Sequence, residues 1–201
     1  MSECAGGQYP GVTRRAFVGA AGALGLVLAS AGDAQAAEHP SITYMRQAGK
    51  DLLNAHRQGT VASFLRAIQR YADVPDIAIY SLGQYKSKLS ETQRQNYYRG
   101  VAVFMARYFA DQSREYPVAK YEIGDAEAQD NKDILIESRV YLLSGSTYKV
   151  SWRLAWRGKG YKIVDAKVLG FSLVYLQRGI FTSYLSKRNG DINQLVAALN
   201  G

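Results

Sequence analysis

"GYKIVDAKVLGFSLVYLQRGIF" occupies residues 160–181, and its reading decides the fold. A run rich in β-branched and aromatic residues reaches Leu169, Gly170 makes a corner, and a helical pattern follows. The strand is awkward. Tyr161, Ile163, Asp165, Lys167 and Leu169 share one side, and Lys162, Val164, Ala166 and Val168 the other. Neither side is cleanly polar or apolar, although a half-buried strand should alternate. Past the corner, Phe171, Leu173, Val174 and Leu176 concentrate apolar bulk.

Upstream, the pattern of strands is clearer. Tyr148, Val150, Trp152, Leu154 and Trp156 alternate with Lys149, Ser151, Arg153, Ala155 and Arg157, and "RGKG" (157–160) turns this strand into the awkward one. Before it, Ile134 to Leu143 reads as a strand closed by the turn "SGST", and Ala119 to Gly124 as another, with "DAEAQDNKD" (125–133) as a polar loop between them. Successive strands with short turns predict an antiparallel meander.

The first half is helical. Ile42 to His56 is ended by Gly59, and Thr60 caps Val61 to Ala72. Pro75, between Asp73 and Asp76, marks a break before a short helix closed at Gly83. "SETQ" (90–93) is a capping box for a long helix on which Tyr97, Val101, Phe104, Met105, Tyr108 and Phe109 share a broad face. After the corner, Ser172 to Arg188 is helical, and Asp191 caps a last helix. Helices first and a sheet later predict an α+β fold, with N-terminal helices on a curved antiparallel sheet and C-terminal helices behind.

The N-terminus carries an export signature. Arg14 and Arg15 precede an apolar stretch from Ala16 to Ala31, and Ala34-Gln35-Ala36 has the form of a cleavage site. Sixteen apolar residues are short for a membrane span, which needs about 20. The paired arginines followed by Ala16 and Phe17 resemble a twin-arginine signal. The expectation is a signal peptide over residues 1–36, a mature domain over 37–201 and a periplasmic location.

The chain carries 25 Lys and Arg against 17 Asp and Glu, a formal net charge of +8. Loss of residues 1–36 leaves that charge unchanged, because Arg14 and Arg15 offset Glu3 and Asp33. A basic balance favours anionic partners. The cations are spread over many elements, and an exported protein meets little nucleic acid, so a nucleic-acid partner is not expected. Cys4, the one cysteine, falls in the signal. The mature domain therefore has no disulfide or thiolate site, and its two histidines, His39 and His56, make no metal motif. No cofactor is implied. Glu137 and Asp165 fall on strands and are candidate general bases, but pairing of Asp165 with a cross-strand Arg or Lys such as Arg153 is the favoured reading.

The aromatic content, with 15 tyrosines, suits surfaces with one apolar side and one wet end. An α+β layer of this outline can enclose an apolar cavity for a lipid or hydrophobic small molecule.

The C-terminal stretch "YKVSWRLAWRGKGYKIVDAKVLGFSLVYLQRGIF" resembles the signature of the MlaC family of phospholipid-binding, toluene-tolerance proteins. There a "Y-R-L" strand leads to "W-K-V-Y-D-V-x-x-E-G-V-S-L" and then a helix. Arg153-Leu154, Tyr161 to Asp165, Gly170 to Val174 and Arg178 to Phe181 occupy those places, and Leu169 stands where the pattern has glutamate. Leu82-Gly83, Thr92 to Arg94 and Phe104 fit a second, upstream segment.

The resemblance implies a cone-shaped sheet like that of nuclear transport factor 2 around an apolar cavity. It implies a non-enzymatic carrier that shuttles phospholipid between an outer-membrane lipoprotein complex and an inner-membrane ABC transporter with its substrate-binding subunit. A hopanoid or other polycyclic lipid is the alternative cargo, and a small exported isomerase on the same cone is the alternative from another class. On this reading the expected lipid-binding residues are Val101, Phe104, Met105 and Tyr108, then Trp152 and Leu154, then Phe171, Leu173 and Val174.

Overall fold

The computed structural model describes residues 38–128 and 133–201. The expected signal peptide lies outside the described residues. Helix α1 (Pro40–Gln58) begins with proline, whose missing N–H is no loss in a first turn, and ends at Gly59, whose φ of 62° suits the left-handed cap. Helix α2 (Val61–Tyr71) opens on Thr60, whose hydroxyl accepts the Ser63 N–H at 3.2 Å. Asp73 does the same for helix α3 (Val74–Ser81), so Pro75 belongs to the start of this helix and not to a break before it. A 3₁₀ segment (Gly83–Lys88) leads into helix α4 (Glu91–Glu115), which opens on the expected capping box between Ser90 and Gln93.

Five strands follow: β1 (Val118–Ala128), β2 (Ile134–Leu142), β3 (Thr147–Trp156), β4 (Tyr161–Val168) and β5 (Phe171–Ser172). They form one antiparallel sheet in sequence order. Helices α5 (Leu173–Ser186) and α6 (Ile192–Asn200) close the chain, capped by Ser172 and Asp191. Strand β1 is longer than its sequence pattern suggests. Its pairing slips between Ile123 and Ala126 and then resumes, so the first part of the expected polar loop is strand.

The same device explains the awkward strand. Arg153 lies opposite Asp165, but the next residue, Leu154, lies opposite Ile163, so Val164 is an extra residue on β4. A bulge reverses the parity of every side chain beyond it. Ile163 joins an apolar cluster before the bulge and Ala166 joins one after it, and Ile163 to Ala166 are buried without alternation. Strand β3 is also out of step there: Leu154 and Ala155 are both buried, and Trp156 is 57% exposed.

Helix α4 is buried on two sides. Tyr97, Val101 and Phe104 pack against Phe181, Leu195 and Leu199 of α5 and α6, while Ala102, Ala106 and Phe109 pack against Phe64 and Ile68 of α2. A third cluster joins Met45 and Ala48 of α1 to Ile136, Leu154 and Ile163, and a fourth joins Val140, Val150 and Ala166 on the sheet. The apolar interior is thus divided into four clusters with space left where they meet.

Candidate functional site

That space is a cavity of about 240 Å³. Met45, Leu52 and Leu53 of α1 and Phe64, Ala67 and Ile68 of α2 form its helical wall, with Met105 and Phe109 of α4. The sheet supplies Tyr121, Ile123, Val140, Val150, Trp152 and Ala166, and the corner supplies Val168, Leu173 and Val174. Gly49 permits the close approach of α1 to the sheet: a Cβ there would stand 2.7 Å from the Tyr121 ring.

Most polar groups in this wall have protein partners. Trp152 Nε1 donates to Ser138 Oγ at 2.8 Å, and the Ser138 hydroxyl donates to the Val150 carbonyl at 3.4 Å. His56 Nε2 accepts the Val118 N–H at 2.9 Å, and burial lowers the imidazole below its ordinary pKa. The Tyr121 hydroxyl donates to the Arg46 carbonyl at 3.3 Å. Burial raises the Tyr148 hydroxyl above the ordinary tyrosine value. A buried polar group held by a protein partner has little left to offer a ligand. The remaining surface is hydrocarbon and aromatic, which solvates an apolar chain.

Asp165 is the one carboxylate among the described lining residues. It does not pair with Arg153, contrary to expectation. Arg153 donates to Asp133 at 3.1 Å, while Asp165 Oδ1 accepts the N–H groups of Ala166 at 2.8 Å and Val174 at 3.3 Å. A strand carboxylate therefore sits at the start of α5, where the helix dipole favours negative charge. Glu137, the second expected base, lies on the surface and pairs with Lys149 at 3.0 Å.

Of the nine expected lipid-contacting residues, Met105, Trp152, Leu173 and Val174 line the cavity. Val101 and Phe104 lie instead in the helical cluster around Phe181, and Leu154 is sealed in the cluster beneath α1. Tyr108 and Phe171 face outward, at 44% and 66% exposure. One apolar face on α4 conceals two destinations, because both sides of that helix are covered. The contribution of α1 and α2 was missed: their apolar spacing reads as ordinary core, and no signal in it distinguishes a cavity wall.

The sequence profile described as MlaC protein matches residues 42–201. The chain belongs to the MlaC family. Among solved structures, it is similar to a phospholipid-binding protein from Ralstonia solanacearum, determined in complex with a phospholipid. The two are 20% identical and superpose with a TM-score of 0.65, over 82% of this chain and 96% of the other. The MlaC-like fold, helices on an open five-stranded antiparallel sheet, is thereby common to both. No curated relative matches the chain.

Proposed function

We propose that this chain is a periplasmic carrier that holds phospholipid acyl chains in the cavity between α1, α2 and the sheet. The observation that carries this reading is the wall itself, predominantly apolar, with most of its polar groups engaged by the protein. Membership of the MlaC family and the phospholipid-bound relative support it. Each buried methylene contributes ~0.8 kcal/mol, so a long acyl chain supplies ample binding energy without any charged contact. At about 240 Å³ the cavity is smaller than a whole phospholipid requires. Pockets for drug-sized ligands already span about 300–1,000 Å³.

The carrier passes cargo between an outer-membrane lipoprotein complex and an inner-membrane ABC transporter with its substrate-binding subunit. Export removes residues 1–36, so the mature chain starts at Ala37. Intact-mass measurement of exported protein checks the start, and a membrane-retained product of full mass refutes it.

Solvent extraction of the purified exported protein followed by mass spectrometry tests the carrier reading. Co-purified phospholipid with two acyl chains is the expected result. A polycyclic lipid in its place changes the cargo, and a lipid-free protein that turns over a polar substrate overturns the carrier.

A further inference from the structure

The corner between β4 and α5 exposes an apolar surface that no element of the described fold covers. Leu169, Phe171 and Tyr175 are 69%, 66% and 65% exposed, and Leu176 and Ile180 continue the row along α5. Gly179 lies between them with open space around its Cβ position. Buried Val174, Gln177, Phe181 and Leu185 form the opposite side of the helix, so α5 is apolar both inward and outward. A group of exposed large apolar side chains along one segment marks an interaction surface.

The backbone at the corner strengthens the case. Leu169 has a φ of 52°, in the left-handed region that leucine rarely adopts and glycine adopts freely. Its side chain gains no burial in exchange for this strain. The strain persists where a protruding leucine serves something outside the chain.

The charge of this segment and of the adjoining sheet face points to the partner's chemistry. Between Asp165 and Asp191 there is no acidic residue, while Lys167, Arg178, Lys187 and Arg188 are basic. On the outer face of the sheet, Leu169 shares a shallow concavity with Arg139, Lys149 and Lys167 against the single acid Glu137. Exposed apolar side chains with Arg139 and Lys167 beside them suit an anionic lipid surface, which takes the apolar groups below the headgroups and the cations among them. The corner is also continuous with the cavity wall, since Val168 and Leu173, on either side of it, line the cavity.

We infer that the Leu169–Ile180 corner docks this protein on the surface of an anionic bilayer, presenting the cavity wall to the membrane from which cargo enters or leaves. The use of the docked state rests on the carrier reading; the docking itself does not.

The test is co-sedimentation of protein purified after export with vesicles of phosphatidylcholine alone and of phosphatidylcholine mixed with phosphatidylglycerol. Wild type is expected to partition onto the mixed vesicles and to be released by salt. Phe171→Ser and Ile180→Ser are each expected to weaken partition by about tenfold, the scale of one lost apolar anchor. Lys167→Gln is expected to weaken it by about fivefold. Leu169→Gly relieves backbone strain, so its unfolding midpoint should be equal to or above wild type while its partition falls.

Equal partition of the variants and wild type, or no binding of wild type to anionic vesicles, overturns the inference. So does a homodimer in sedimentation equilibrium that Phe171→Ser dissociates, because a second copy then covers the surface. Lipid extracted from the same variants separates the two readings: wild-type lipid content with lost vesicle binding supports docking, and lipid-free wild type that still binds vesicles refutes only the cargo.

Discussion

Asp165 on β4 accepts the backbone N–H of Val174 in the first turn of α5 at 3.3 Å, and that of Ala166 at 2.8 Å. One buried carboxylate thus ties the bulged strand to the helix that follows the corner. Asp165→Ala leaves the Val174 N–H buried and unsatisfied, which costs about 1–3 kcal/mol. Asp165→Asn keeps an oxygen acceptor and is expected to lose about half as much, because only the charge assistance is gone. Denaturant midpoints at unchanged slope check the order. An alanine variant as stable as wild type would falsify this role.

His56 sets a pH dependence. The folded imidazole is held below its ordinary value of 6.5, because burial disfavours the cation. Its neutral ring also accepts the Val118 N–H. The unfolded chain therefore takes up a proton first as pH falls. Stability from this group is fully present above pH 6.5 and is lost as pH falls from there through the lower folded value. One proton gives at most ~1.4 kcal/mol per pH unit, reduced by solvent around the half-buried ring. Melting temperatures across this window should decline in wild type and decline less in His56→Gln, which keeps an acceptor but does not titrate. Parallel profiles would rule this out.

Gly100 lets α6 lie close against α4. A Cβ there would stand 2.7 Å from the Leu199 Cβ, an atom that cannot swing aside without moving α6. Replacing glycine by alanine inside a helix ordinarily gains about 1 kcal/mol. Overpacking costs about 1–3 kcal/mol, so the net expectation for Gly100→Ala is a loss of about 1 kcal/mol. A raised melting temperature would show that the two helices separate freely.

Ala67 is buried on α2 and lines the cavity. Ala67→Phe directs a ring into the void, so co-purified lipid should fall several-fold while the circular dichroism spectrum stays native. Met105→Asp, on the same helical wall, should do the same by charge and not by volume, since an unpartnered buried carboxylate is costly. If both fold and both carry wild-type amounts of lipid, cargo lies elsewhere.

Local signals set the element list. Gly59, Thr60, the capping box at Ser90 and the cap Asp191 act within a few residues of themselves, so these helix starts and stops are legible in the sequence. The alternation of β3 up to Leu154 was legible for the same reason. The family was legible too, because many short correspondences occur in order along the chain. The tertiary structure alone decided which apolar residues are core and which are cavity wall. Burial energy is non-directional: Val101 in a packed cluster and Met105 beside a void are equally apolar, and only the spacing of neighbouring elements separates them. The partner of Asp165 was likewise decided in three dimensions. The bulge at Val164 turns the strand, and the start of α5 then brings an unsatisfied N–H within reach of a carboxylate whose cross-strand neighbour, Arg153, had gone to Asp133.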